Sequence, residues 1–146
     1  MAVNTNAIGK TYAPLTYAVG REKIREYAYA VEETNQVYAD LEVARASGYR
    51  DLVAPPMFAV VYSGPALGPV LFDPEVEMNF AAMVHGAQAF EWGEPVCSGD
   101  TITTETTVED LYERTGMEFF VFKSVSKNQD GDEVVRGTWT NIVRGG

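Results

Sequence analysis

The feature that most constrains the fold is an apolar segment at residues 54–72, APPMFAVVYSGPALGPVLF, which contains no charged side chain before Asp73. A helix that is apolar on all faces belongs in a protein interior. Pro55 and Pro56 suit its first turn, where the N–H groups have no intrahelical acceptor. Pro65 and Pro69 should kink or end it. The segment therefore predicts a buried central helix that the rest of the chain must cover.

Strand-forming residues dominate the chain after this helix. The turn sequence NQDGD between the last two apolar stretches is typical of a β-hairpin. β-branched, aromatic or alternating residues predict four strands, at residues 82–91, 101–112, 117–127 and 133–144.

The part of the chain before the apolar segment predicts one strand and two helices. Aromatic and β-branched residues at 11–19 favour a first strand, and Pro14 places it at an edge or bend. Apolar residues at helical spacing predict an amphipathic helix over 21–31, and 39–47 predicts a shorter one. This order of predicted helices and strands fits a single α+β domain spanning residues 1–146. In that domain an antiparallel sheet of about five strands wraps around a long central apolar helix.

Composition excludes several classes of function. The chain has 146 residues and a net charge of −10, which would repel nucleic acid. Cys97 is the single cysteine, so there is no disulfide framework. The sequence shows no signal peptide, membrane span, nucleotide loop or metal-ligand spacing. We therefore expect a cytoplasmic protein without a cofactor, a metal, a membrane association or a nucleic-acid partner.

Four segments, in the same order, resemble the MaoC-like dehydratase and hydratase family. They are REKIREYAYAVEETNQVY, LVAPPMF, HGAQAFEWGEPVCSGDTI and NQDGDEVVRGTWT, at residues 21–38, 52–58, 85–102 and 128–140. The resemblance implies a hotdog fold and the interconversion of 3-hydroxyacyl and trans-2-enoyl thioesters carried by CoA or by acyl carrier protein.

More narrowly, the chain is similar to the accessory subunit of heterodimeric (3R)-hydroxyacyl-thioester dehydratases. It is equally similar to the N-terminal half of double-hotdog MaoC proteins. In those assemblies one hotdog carries the chemistry and the other shapes the acyl channel. The resemblance therefore implies a dimer, either of two copies or with a catalytic hotdog subunit.

The catalytic positions of the family are altered in this chain. Catalytic members use a D-x-x-x-x-H pattern, and alignment without gaps puts Glu33 at the Asp position and Tyr38 at the His position. The intervening Asn35 is kept. Glu33 could act as a general base, but a phenol with an ordinary pKa of about 10 replaces imidazole poorly. We expect a chain that is inactive or weakly active alone.

The family's H-G pair at the start of the central helix is replaced as well. Pro55 and Pro56 occupy its place, and proline has no N–H to offer a thioester carbonyl. The oxyanion donor must then be a later amide, that of Met57 or Phe58. The resemblance therefore predicts a substrate site at Asn35, Pro56, Met57 and Phe58.

Other candidate residues have two interpretations each. His85, the only histidine, could be a relocated catalytic base or a structural or interface residue on a sheet strand. Cys97 could be a nucleophile, but no basic residue stands beside it in sequence. Aromatic residues such as Phe119 and Trp139 could line an acyl tunnel or simply form the core.

Three functions remain compatible with the sequence. The first is the accessory subunit of a dehydratase or hydratase. The second is a hotdog thioesterase, which would need a carboxylate such as that of Glu33. The third is an acyl-binding domain without turnover.

Overall fold

The structure is a computed structural model that describes residues 2–144, so Met1, Gly145 and Gly146 of the predicted 1–146 domain lie outside the described residues. The elements follow the predicted order. They are β1 (Leu15–Ala18), α1 (Arg21–Ala30), α2 (Leu41–Ala46), α3 (Ala59–Ser63), α4 (Gly68–Leu71), β2 (Met83–Trp92), β3 (Thr101–Arg114), β4 (Met117–Lys127) and β5 (Glu133–Arg144).

The first strand is shorter than the sequence predicts. The predicted range 11–19 contracts to β1, which begins directly after Pro14. Thr11 forms only an isolated bridge with Thr107. Proline cannot donate a ladder hydrogen bond, so it separates this bridge from the strand.

The five strands form one antiparallel sheet in the order β1-β3-β4-β5-β2. Alternate residues of β5 are buried, namely Val135, Gly137, Trp139, Asn141 and Val143. They lie on the inner face, which we define as the sheet face turned toward the central apolar segment. Because β2 lies at one end of the order, it is an edge strand along its whole length.

The central segment, residues 54–72, is not one long α-helix. It consists of a 3-10 turn at Pro56–Phe58, then α3, a second 3-10 turn at Gly64–Leu67, and α4. The predicted interruptions occur around Pro65 and Pro69. Since Pro69 has no N–H, the Ala66 carbonyl is available to Thr106 of β3, whose hydroxyl donates to it at 3.1 Å.

A tryptophan joins the central segment to the sheet. The Trp139 indole N–H donates to the Ser124 hydroxyl at 2.9 Å, and Trp139 is 8% exposed. A Cβ on Gly137 would lie 2.6 Å from both the Ser124 hydroxyl and the indole nitrogen. The absence of a side chain at Gly137 therefore gives the indole its place on the inner face.

The N-terminal segment is held to the loop after α4 by an ion pair. Asp73 accepts from the Lys10 ammonium and the Tyr12 hydroxyl, both at 2.6 Å. These two bonds, led by that of Lys10, lower the pKa of Asp73 from 3.8 to about 2.

No helix within residues 2–144 has the length and apolar character needed to cross a membrane.

Gly137→Ala should destabilise the fold by about 1–3 kcal/mol, because the new methyl group overlaps the indole and the Ser124 hydroxyl. The free energy of unfolding in urea measures this loss. Gly64→Ala is the matched control, since its Cβ would lie 4.0 Å from the Trp139 ring. Equal stability of the two variants would contradict this account of the inner face.

Asp73→Asn should lower the stability at neutral pH by about 1–2 kcal/mol. The folded-state pKa of Asp73 is depressed, so its stabilisation is complete above pH 3.8 and is lost as the pH falls through about 2. The difference between wild type and variant should therefore shrink over this interval in acid-dependent urea unfolding. If the stability difference between wild type and Asp73→Asn stayed constant down to about pH 2, the ion pair would not be its source.

Candidate functional site

An open cleft of about 260 Å³ lies at the start of the central segment. One wall is the entry to that segment and another is the loop that follows β2. Its lining is mainly apolar and aromatic, and is made by Tyr38, Tyr49, Val53, Ala54, Pro55, Pro56, Tyr62, Trp92, Gly93, Glu94, Pro95, Val96 and Val134.

Backbone hydrogen bonds join the two walls of the cleft. The Ala54 N–H donates to the Val96 carbonyl, and the Ser98 N–H donates to the Leu52 carbonyl, both at 2.8 Å. Gly93, which follows β2, packs directly against the backbone of β5. A Cβ added at Gly93 would lie 2.2 Å from the Glu133 carbonyl oxygen, so a side chain does not fit there. Residues far apart in sequence are thus held at one rigid opening.

A buried carboxylate fixes the same loop from behind. Asp100, whose side chain is fully buried, forms an ion pair with Arg50. It also accepts from the Gln129 amide and from the Cys97 backbone N–H, both at 2.9 Å. Arg50 is adjacent to Tyr49 of the cleft, and Cys97 is adjacent to Val96. Asp100 is therefore a positioning residue for both walls.

Two tyrosines of the cleft are suited to donating hydrogen bonds. Burial, with a smaller contribution from the Glu33 charge, raises the pKa of Tyr38, and burial alone raises that of Tyr62. Neither hydroxyl is hydrogen-bonded within residues 2–144. Both phenols stay protonated at neutral pH, so they can donate to a ligand oxygen but cannot act as strong bases.

The predicted residues Glu33 and Asn35 lie beside the cleft rather than in its lining. Glu33 is exposed after α1, and its charge reaches Tyr38, as its effect on the phenol pKa shows. Asn35 caps the 3-10 turn Gln36–Tyr38, and its side-chain oxygen accepts from the Val37 N–H at 3.1 Å. The Asn35 carbonyl group is therefore occupied in shaping the turn that carries Tyr38.

The start of the central segment differs in detail from the predicted substrate site. Pro56 lines the cleft, whereas Met57 is 48% exposed outside its lining. The Phe58 side chain is fully buried, and its N–H already donates to the Pro55 carbonyl at 2.8 Å. The other predicted donor, the backbone N–H of Met57, has no hydrogen-bond partner within residues 2–144.

His85 is separated from the other candidates. It is exposed on the inner face of β2, opposite Asn141 of β5, and its ring meets Trp139 edge-on at 6.0 Å. It is seven residues from Trp92, the β2 residue that lines the cleft. The fold therefore brings Tyr38 and Pro56 together but does not bring His85 to them.

Cys97 is buried, and burial raises the pKa of its thiol, which opposes a nucleophilic role. Within residues 2–144, no three His, Cys, Asp or Glu side chains are grouped as metal ligands.

Several cleft residues were missed by reasoning from the sequence, namely Tyr49, Tyr62, Trp92 and Glu94. Tyr62 lies within a segment whose sequence predicts a uniformly apolar helix. Trp92 and Glu94 lie in the segment 85–102, and its resemblance to the family could have marked them as candidate site residues. Tyr49 follows α2 and has no comparable pattern around it.

Residues 6–136 match the model of the FAS1-like dehydratase domain region. The chain belongs to this dehydratase-domain family. It is 37% identical over 144 residues to a UPF0336 protein of Streptomyces coelicolor, covering 98% of this chain and 95% of that one.

Solved structures of MaoC-like hotdog proteins share the fold. The C-terminally truncated HadBC (3R-hydroxyacyl-ACP dehydratase) complex of Mycobacterium tuberculosis matches with a TM-score of 0.82 and 28% identity, covering 95% of this chain and 98% of the matched chain. A MaoC-like dehydratase matches with a TM-score of 0.86 and 22% identity, covering 95% of this chain and 42% of that one. The expected α+β hotdog architecture is confirmed.

Asp100→Ala should destabilise this family member by about 2–3 kcal/mol, because it leaves the Cys97 N–H and the Arg50 charge without their acceptor. Urea unfolding measures the loss, and Trp92 fluorescence should report a loosened cleft. Asp132→Ala, in the exposed hairpin turn, is the control and should change stability by less than about 0.5 kcal/mol. Similar losses in the two variants would argue against a positioning role for Asp100.

Proposed function

We propose that this chain is the accessory, substrate-channel subunit of a MaoC-like (R)-specific hydratase or dehydratase. The enzyme would interconvert 3-hydroxyacyl and trans-2-enoyl thioesters in complex with a second hotdog chain that supplies Asp and His. The observation that carries the proposal is the cleft at the start of the central segment, whose lining includes protonated phenols and prolines.

The reaction requires a base and an acid, and the lining of this cleft contains no histidine. Dehydration breaks the C2–H and C3–O bonds and forms the C2=C3 double bond, while the proton and the hydroxyl leave as water. A base must take the C2 proton and an acid must protonate the departing hydroxyl. The Tyr38 and Tyr62 hydroxyls could donate to a thioester oxygen, whereas Glu94 is the single carboxylate of the lining. The proton transfers are therefore assigned to the partner.

The free edge of β2 supports the proposed partner. This strand has ten residues with one carboxylate, Glu91, and exposes Val84 and Trp92 by 59% and 51%. A long apolar edge is a ready template for pairing with another strand. HadBC, with which this chain shares 28% identity, is described as a complex, which favours a second hotdog chain as the occupant.

Turnover of a trans-2-enoyl thioester tests the proposal. The chain is assayed alone and after co-expression with a hotdog chain that contains the D-x-x-x-x-H pattern, by the loss of enoyl absorbance. The chain alone should be slower than the complex by about 10²–10⁴-fold, the usual contribution of general acid–base groups. Full turnover by the isolated chain would refute the accessory role.

The same preparation distinguishes the thioesterase alternative. Release of free thiol from an acyl-CoA by the isolated chain, abolished in Glu33→Ala, would support hydrolysis by this chain instead. Glu32→Ala is the matched control, since both carboxylates are exposed neighbours at the end of α1.

A further inference from the structure

The Tyr62 side chain is the most deeply buried polar group of the cleft lining. Tyr62 lies in α3, is 3% exposed, and packs its ring against the fully buried Phe58 with the two ring centroids 6.1 Å apart. Tyr49 and Trp92, which line the same cleft, are 37% and 51% exposed. The aromatic lining therefore runs from a solvent-exposed rim, at Tyr49 and Trp92, to a floor at Tyr62.

The Tyr62 hydroxyl has no hydrogen bond within residues 2–144, although it lines the cleft. Among the side chains of those residues, the Gln88 oxygen is the atom that is sealed from solvent without a partner, so the Tyr62 oxygen is open to the cleft. A buried tyrosine hydroxyl normally has a hydrogen-bond partner, and leaving one without a partner is unfavourable. The partner of this hydroxyl must therefore enter the cleft, as water or as an atom of a ligand.

The surroundings of the hydroxyl select a neutral oxygen atom as that partner. A phenol both donates and accepts, so it can pair with an alcohol or donate to a ketone. The cleft lining contains no basic side chain, while Glu94 adds a negative charge to a chain of net charge −10. A carboxylate or a phosphate is therefore disfavoured at the floor.

The direction in which a thioester enters decides which of its oxygen atoms reaches Tyr62. The carrier, CoA or a protein, is large and charged and stays in solvent, so the acyl chain enters the cleft first. A cleft of about 260 Å³ holds roughly eight non-hydrogen atoms, if each takes about the 30 Å³ of a liquid water molecule. The thioester group therefore lies nearer the rim, and a later part of the acyl chain lies at the floor.

We infer that Tyr62 makes the cleft selective for acyl chains that carry a neutral oxygen, as a hydroxyl or keto group, where the chain reaches the floor. The inference rests on the proposed function, since it takes an acyl thioester as the ligand. A plain hydrocarbon chain displaces water from the phenol and returns no hydrogen bond, whereas an oxygenated chain restores it. Sites built to hydrogen-bond a substrate hydroxyl reject the analogue that lacks it, because their own polar group is left unpaired. Tyr62 is thus a specificity-determining residue for the acyl chain.

Binding of saturated acyl thioesters tests the inference, because they undergo neither hydration nor dehydration during a titration. The full chain is titrated by calorimetry with hexanoyl, octanoyl and decanoyl thioesters, each with and without an ω-hydroxyl group, on CoA and separately on acyl carrier protein. At the length that brings the ω-hydroxyl to Tyr62, this group should strengthen binding by about tenfold or more, the effect of one hydrogen bond to a buried group. Tyr62→Phe should abolish the gain and bind the plain thioester at least as tightly as wild type.

Tyr27→Phe is the matched control. Tyr27 also packs edge-on against Phe58, with the ring centroids 5.5 Å apart, but it is not part of the cleft lining. This variant should keep the wild-type ratio of the two affinities. Tyr62→Phe should unfold at an equal or higher urea concentration than wild type, because it removes an unpaired hydroxyl and keeps the ring.

Two results would overturn the selectivity. One is equal affinity of wild type for the plain and ω-hydroxy thioesters at every length, and the other is a gain that persists in Tyr62→Phe. A gain seen only with 3-hydroxyoctanoyl thioester, and lost in Tyr62→Phe, would assign Tyr62 to the reacting end of the substrate and refute selection by the later chain.

The fate of the proposed function is measured separately. If the complex turns over an enoyl thioester while wild type shows no preference for oxygenated chains, the inference about Tyr62 fails and the proposed function stands. Full turnover by the isolated chain would refute the accessory role, and a preference lost in Tyr62→Phe would still stand. Failure of wild type to bind any of these thioesters on either carrier would refute both.

Discussion

The close packing of the apolar central segment on the inner face of the sheet is the constraint on which the other features depend. Small and polar residues of the sheet allow the approach, and Thr106 supplies the hydrogen bond that Pro69 cannot give to Ala66. The Trp139 indole fills the space above Gly137 and donates to Ser124. The Ala66 carbonyl therefore keeps a hydrogen-bond partner although the segment is broken into short turns.

This packing decides where the functional surfaces lie. It places the start of the central segment against the loop after β2, and the bonds between residues 52–54 and 96–98 close the cleft. It also leaves β2 at the far edge of the sheet, with His85 and Gln88 on its inner face. The cleft and these two side chains are thus two regions along the inner side of one edge strand.

The chemistry of the cleft follows from the side chains that line it. Tyr38 and Pro56, which are distant in sequence, both stand at its lining. Burial keeps the Tyr38 and Tyr62 phenols protonated, which suits binding of an oxygen atom better than removal of a carbon-bound proton.

The sequence by itself determined the order of the elements and the family, because apolar runs, hairpin turns and the segment 85–102 are local patterns. It also predicted that Glu33, Tyr38 and Pro55-Pro56 occupy the family's catalytic positions, which stays a prediction. Only the tertiary structure decided that Asp100 fixes both cleft walls and that His85 is remote from Tyr38. It also showed that the Gln88 side-chain oxygen is buried without a hydrogen-bond partner among residues 2–144. These properties depend on strand order and register, which bring together residues from distant parts of the chain.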